Sequence, residues 1–374
     1  MLLRLTNVPR DYSWGSTALL AELEGRAPSA QPEAEVWFGD HPGDPADIVG
    51  GRTLDTVTGG GLPYLLKLLA AAEPLSIQVH PTLDQARAGW ERESELPLDD
   101  PHRNYRDDNH KPELIVALSE RFDALSGLRP VVETLRLLAG FDAVPGVVAL
   151  RDRLSTRRDA LRDTIGWLLS GEAQAEVEGI IRGLATASSP EFATELQVAR
   201  SIAEKYPNDP GVVVALLMNH VVLRRGEAMF VGAGVLHVYL AGLGVEIMAA
   251  SDNVLRGGLT PKHVDVAALL TVLDATPGPV PVLRPAKAGG IAEYAVPIAD
   301  FALRRVTVSG ASVEVVVQGP TIALVTAGDV HISGTSPTSD ASGRVPVGTA
   351  LFADAEERRL LVSGDGEVFI ASPG

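Results

Sequence analysis

The 374-residue chain contains no cysteine, which excludes disulfides and thiolate metal ligands. Any metal site must therefore use histidine, carboxylate or amide oxygen. Cations are outnumbered: 32 Lys and Arg against 48 Asp and Glu give a formal net charge of −16. That balance argues against a general nucleic-acid binder, whose surface has to neutralise phosphates. A small anionic substrate stays open, because a few local cations override a distant negative field. Long hydrophobic runs are also missing, with no stretch of about 18 apolar residues. The opening MLLRLTNVPRDYSWGS is too short and broken in its apolar part for a signal peptide. The expectation is a cytoplasmic protein with no membrane or nucleic-acid partner.

What is present is the material of a globular chain, 45% hydrophobic and 21% charged, long enough for two or three domains. Up to about residue 128, short apolar runs such as PYLLKLL, LSIQVHP and PELIVAL lie between Gly, Pro and Asp, a strand-like texture. From about 129 to 210 the period changes to that of helices, with Leu161, Ile165 and Leu168, then Val177, Ile181 and Leu184, recurring on one face. Strands return from about 212, interrupted by TPKHVDVAALLTVL, where Thr260 caps a short helix and Pro261 takes its first position. From roughly 275 onward the chain reads as strands: FALRRVTV, SVEVVVQ, TIALVTA, ALFA, RRLLVS and EVFIAS, with PTSDASGR near Ser342 as a loop. Two strand-rich modules around a helical insertion is the predicted architecture.

Four segments hold residue types that can carry chemistry. In Ser76-Ile77-Gln78-Val79-His80-Pro81 a strand puts Gln78 and His80 on one face. An amide oxygen and an imidazole side by side suit a metal, although the tripeptide alone reads more readily as a polar strand face with a hydrogen-bonded His. Asp107 to Glu113 reads DDNHKPE and leads into LIVAL. On a strand there, Lys111 and Glu113 share a face opposite His110, although charges at this position also fit an exposed strand end. The third segment, GAGVLHVY from Gly232 to Tyr239, is followed by Gly242, Gly244 and Glu246. It puts His237 and Tyr239 on one face, with glycines that allow close backbone approach. The fourth runs from Ser251 to Lys262 and carries Asp252, Arg256 and Lys262 around a Gly pair. Arg and Lys near a helix start suit a phosphate, a solvated turn being the alternative; no P-loop is present. Taken together, Gln78, His80, Glu113 and His237 form a nitrogen and oxygen set suited to zinc, with manganese, cobalt or iron as alternatives.

Read in order, YSWGS near Trp14, AEVWFGDHP near Glu35, LSIQVHP, NHKPEL, GVLHVYL and SDNVLRGGLTPKHVDV resemble type I mannose-6-phosphate isomerases. The match runs from residue 12 to 266, while the last hundred or so residues match only in texture. Val36, Phe38 and Val238 depart from the family pattern and bear on pocket shape. The resemblance implies a mainly β protein, a cupin or jelly-roll β-barrel formed by residues 1–128 and 211–268. It further implies a helical insertion at 129–210 and a second, metal-free cupin-like module at 269–374, where His331 has no companion ligands.

The resemblance also implies one zinc ion per chain on Gln78, His80, Glu113 and His237. A phosphosugar site would include Trp14, Ser76, Lys111, Tyr239, Glu246, Asp252, Arg256 and Lys262. The implied reaction interconverts mannose 6-phosphate and fructose 6-phosphate through a cis-enediol. Zinc and Arg256 would stabilise the oxyanion charge that develops. Lys111, Glu246 and Asp252 are candidate bases, and His110 with Asp252 would assist ring opening. Ser76, Arg256 or Lys262 would anchor the phosphate. Competing readings are a sugar-binding cupin without turnover and another metal-dependent cupin enzyme; an oxygenase fits less well, since it favours a His-rich iron site. The oligomeric state is open, with a monomer expected.

Overall fold

The computed structural model describes residues 1–156, 160–335 and 342–374. Most of the loop expected over 337–344 therefore lies outside the described residues. The fold is mainly β, in two assemblies, with a helical block inserted within the first between Phe122–Leu128 and Met218–Leu223.

One strand, His237–Ala249, organises the first assembly. Its first half lies beside Phe122–Leu128, with His237 opposite Ser126 and also opposite Gln78. Its second half is flanked by Tyr64–Ala71 on one side and Glu113–Ala117 on the other. The change of partners coincides with a register shift between Tyr239 and Ala241 and with φ of 131° at Gly242. A Cβ on Gly242 would stand 2.9 Å from Phe122 Cα, so only glycine lets the strand turn from one sheet into the other. This is a two-layer, cupin-like corner, and it holds His237 and Glu246 at its two ends.

Period-2 alternation divides the buried strand Tyr64–Ala71 between two environments. Leu66, Leu68 and Ala70 join a core with Leu114, Val116, Val245 and Ile247. Leu69 and Ala71 face the other way, toward Ile115, Phe122, Met229 and Tyr239. Lys67 shares that second face by position, and this places an ammonium inside the molecule.

The second assembly is built on two long strands, Thr321–Gly334 and Arg359–Ser372, paired along their length. RRLLVS and EVFIAS, expected as separate strands, are parts of the latter. The SGDGE sequence between them reads as a turn, yet here it bends one continuous strand, with Gly364 at φ of 103°. A Cβ there would meet Asp329 O at 2.2 Å. The N-terminal strand Leu2–Thr6 belongs to this sheet, antiparallel to Ala350–Ala353. Leu303, Phe352 and Phe369 from this assembly share one core with Leu66 and Leu114 of the first.

The helical block runs from Val131–Leu138 to Gly211–Leu216. Leu161, Ile165, Leu168, Val177 and Leu184 are buried as the period predicts, while Ile180 rather than Ile181 is fully enclosed. The helix expected from Thr260 starts later. It spans Val266–Val272, and Asp265 caps it by accepting from Ala268 N at 2.9 Å. An aspartate followed by VAALL is a better start than TP followed by KHVD, because the apolar period begins only at Val266. Arg256 consequently lies on the short strand Leu255–Arg256 and Lys262 on irregular backbone, neither at a helix end. Among the described residues no helix is long and apolar enough to cross a membrane.

The corner at Gly242 gives a direct test of this packing. Gly242→Ala should lower stability by about 2 kcal/mol or more, from positive-φ strain plus the clash with Phe122. Chemical denaturation should show the midpoint falling, whereas Gly278→Ala, which meets nothing within 4 Å, should leave it nearly unchanged.

Candidate active site

The first assembly holds an open cavity of ≈ 80 Å³, lined among others by Ser76, Gln78, Lys111, Glu113, His237, Tyr239 and Glu246. Glu113 is its centre. One carboxylate oxygen lies 3.3 Å from His80 Nε2 and 3.1 Å from Lys111 Nζ. The other lies 3.2 Å from His237 Nε2. All three residues are buried, and potential ligand atoms of His80, Glu113 and His237 lie within 4.8 Å of one another.

The hydrogen bonds behind the imidazoles decide what faces the carboxylate. His80 Nδ1 is 2.7 Å from the carbonyl oxygen of Asn253, and His237 Nδ1 is 3.1 Å from that of Val235. A carbonyl oxygen only accepts, so each Nδ1 carries a proton, and in its neutral form each ring turns an Nε2 lone pair inward. Burial pushes His80 down to about 4, so its ring is neutral. His80 Nε2 is a buried polar atom with no hydrogen-bond partner. Two imidazole lone pairs aimed at a carboxylate repel one another unless a cation lies among them. Gln78 fits the same set: its Nε2 donates to Ser76 Oγ at 3.1 Å, which leaves the amide oxygen available as a ligand. The donor set of two imidazoles, a carboxylate and an amide oxygen therefore fits a borderline divalent metal.

Charge around this centre alternates. Burial pushes the Glu113 carboxyl up, but its neighbours, Lys111 foremost, hold it well below the usual range. Directly across the sheet, Lys67 is the register partner of Glu246. Its Nζ is 3.2 Å from Glu246 and 3.9 Å from Glu35. Burial pushes the Lys67 ammonium down, yet Glu35, Glu246 and Glu113 keep it charged, above its ordinary value. Glu246 is raised, chiefly by burial, with Lys67 opposing. Burial likewise raises the Tyr239 hydroxyl well above its usual range, with Glu246 and Glu113 adding to the shift.

The chain's relatives agree with this geometry. Residues 2–131 match the family model for the catalytic domain of type I phosphomannose isomerase. The chain is 35% identical to the mannose-6-phosphate isomerase of Escherichia coli (strain K12) over 98% of each chain. It is 32% identical to that of Bos taurus over 94% of this chain and 93% of the relative. It superposes with a TM-score of 0.89 on a mannose 6-phosphate isomerase bound with zinc and yttrium, at 30% identity, covering 100% of this chain and 99% of the other. The chain belongs to the type I mannose-6-phosphate isomerase family.

Within this family member the expected site residues fall into three groups. Ser76, Gln78, Lys111, Glu113, His237, Tyr239 and Glu246 meet in the cavity, and His80 joins them through Glu113. Asp252 is held at the edge by His41, whose Nε2 is 3.2 Å away. Burial pushes the Asp252 carboxyl up, but His41, Lys111 and Lys67 bring it below its usual value. Arg256, opposite Gln78 on a short strand, is held below its ordinary value by burial and by Arg106. Lys262 is lowered by burial, Arg256 and Arg106. His110 does not meet Asp252; its Nε2 is 2.9 Å from Asp300. Trp14 stacks on Tyr12 with ring centroids 5.7 Å apart and packs against the cluster that contains Tyr239.

Lys67, Glu35, His41, Arg106, Asn253 and Asp300 were not singled out from the sequence. Lys67 did leave a signal there, since a lysine inside the apolar run YLLKLLAA must find carboxylates if that run is buried.

Metal retention should depend on pH in one direction. His80 goes from an ordinary 6.5 to about 4 in the fold, so the unfolded ring takes up a proton first as pH falls, and the stability this ring gives the fold is lost on descending from 6.5 toward about 4. In the folded chain protons compete with a metal for His80 only as pH nears about 4. Dialysis across this range, followed by elemental analysis, should show occupancy falling. Glu113→Gln should be nearly metal-free at neutral pH, about ten- to a hundredfold weaker or worse in affinity.

Proposed function

We propose that this chain is a zinc-dependent aldose–ketose isomerase that interconverts mannose 6-phosphate and fructose 6-phosphate. The observation that carries the reading is the buried Glu113 carboxylate faced by the Nε2 atoms of His80 and His237, beside a cavity with paired acids and lysines. One zinc per chain would be held by Gln78, His80, Glu113 and His237. When bound, zinc supplies Lewis-acid stabilisation of negative charge on the sugar oxygens.

The chain's own residues supply the rest. A phosphate needs cations without competing carboxylates, and Arg256 and Lys262 make no ion pair with a carboxylate among the described residues. Beyond burial, Arg106 lowers Arg256, and Arg256 and Arg106 lower Lys262, a repulsion that a dianion would relieve. Ser76 adds a hydroxyl at the cavity wall. Proton transfer between C2 and C1 requires a base close to the metal-bound end of the sugar. Lys111 and Glu246 are candidates inside the cavity, and Asp252, kept ionised, is a candidate at its edge. Lys67 fixes Glu246 from across the strand and is placed to share the developing charge. Tyr239, kept protonated by its surroundings, can donate to an enediol oxygen.

Residues 1–128 with 211–268 are read as the catalytic module, 129–210 as a helical insertion and 269–374 as a metal-free cupin-like module. A cytoplasmic, monomeric enzyme without nucleic-acid or membrane partners completes the proposal. A sugar-binding cupin without turnover would have little use for the buried Lys67–Glu246 and Lys111–Glu113 pairs, each costly to desolvate.

A coupled assay should show fructose 6-phosphate formed from mannose 6-phosphate, with activity removed by chelation and restored by zinc. Folded, zinc-loaded protein without turnover would contradict the proposal. Arg256→Ala should lower kcat about a hundredfold if its contact strengthens in the transition state. A rise in KM at unchanged kcat would instead make Arg256 a binding residue only.

A further inference from the structure

His110 sits in the segment that delivers Lys111 and Glu113, yet its ring is held by the other module. Its Nε2 lies 2.9 Å from Asp300 Oδ1, across 190 residues of sequence. The backbone beneath it is tied down from the catalytic side. Asn253 Nδ2 donates to Asn109 O at 2.8 Å, Ser251 Oγ to the same oxygen at 3.2 Å, and Asn109 Nδ2 to Ala250 O at 3.2 Å. Asp300 is anchored as firmly. The next residue, Phe301, is 1% exposed in the core shared by both assemblies, and the strand Ala302–Ser309 follows at once. The two side chains are themselves only about four-fifths enclosed, at 21% and 20% relative exposure, so a ligand can reach the ring.

We propose that Asp300 is a positioning residue that makes His110 a proton acceptor through Nδ1. A carboxylate accepts only, so Nε2 carries the ring proton and the neutral imidazole has its lone pair on Nδ1. Among the described residues Nδ1 has no hydrogen-bond partner. The carboxylate also stabilises the imidazolium formed when Nδ1 takes a proton, as a buried acid does behind a catalytic histidine. The role rests on the isomerase reading, where it falls in ring opening. His110 Nδ1 accepts the anomeric hydroxyl proton as the C1–O5 bond breaks and C1 becomes a carbonyl. The bond's electron pair goes to O5, which takes a proton from water; the imidazolium then returns its proton to solvent. The C-terminal module thereby contributes one carboxylate to the site.

The test uses the full zinc-loaded chain with Asp300→Asn, Asp300→Ala, His110→Ala and the double substitution His110→Ala/Asp300→Ala. Each Asp300 variant should lower kcat for mannose 6-phosphate about tenfold or more, within the range of general acid–base effects, while KM changes by less than about twofold. The double variant should be no slower than His110→Ala, because Asp300 acts only through His110. Nitrogen-labelled histidine NMR provides a readout independent of turnover. The signals missing from His110→Ala should show an Nε2-protonated ring in the native chain and a mixture of tautomers in Asp300→Asn. Unchanged kcat in Asp300→Asn, a full additional loss in the double variant, or an unchanged tautomer would each overturn the proposal. A native chain without turnover would overturn the isomerase reading instead, and the spectrum would still decide the tautomer.

Discussion

A carboxylate faced by two imidazole lone pairs is unfavourable in a dry interior, and the site is arranged around that conflict. The Asn253 and Val235 carbonyls accept from the outer nitrogens of His80 and His237, so in their neutral form both rings turn a lone pair, not a proton, toward Glu113. Lys111 neutralises part of the charge from one side, and a divalent cation among the three groups removes the rest. Around the centre, Glu35, Glu113 and Glu246 face Lys67 and Lys111, so the acids exceed the lysines by one charge. A doubly charged metal reverses that sign and makes the cavity attractive to an anionic sugar. Each buried ion costs several kcal/mol to desolvate, which explains why no member of the set stands without a partner of opposite charge.

The strand His237–Ala249 converts this chemistry into geometry. Its first residue is His237, whose imidazole faces Glu113, its third is Tyr239 and its tenth is Glu246, so a single element spans the cavity. Gly242 lets it pass from one sheet to the other. Glu113 is fixed by the strand beside it, and Lys67 by the strand on its opposite edge. The core shared with the second assembly sets how the two modules meet, which is why a carboxylate from residue 300 reaches His110 at hydrogen-bond distance.

The parts of the site that depend on local spacing were legible in the sequence. Alternation put His237 beside Tyr239, and the structure keeps both on the cavity wall. The order of short segments disclosed the family, and the change of period marked the helical block. What depends on register was not legible. Nothing local says that Glu246 stands opposite Lys67, or that His41 faces Asp252, because those contacts follow from strand pairing and loop closure over long separations. The apparent neighbour of Asp252, His110, is drawn to Asp300 for the same reason. SGDGE carried turn residues, yet its glycines serve a bend inside one strand, since Gly364 and Gly366 allow backbones to approach where a Cβ would collide. The helix after Arg256 begins at Val266 because the Asp265 cap and the apolar period that follows it, rather than the proline, set its start.

The most direct test is a zinc titration of metal-free protein, with isomerisation followed after each addition. If the lone pairs of His80 and His237 and the Glu113 carboxylate form the metal site that turnover requires, activity starts near zero. It then rises linearly and breaks at one zinc per chain. Full activity in the metal-free protein, or a break at any other stoichiometry, would contradict the account.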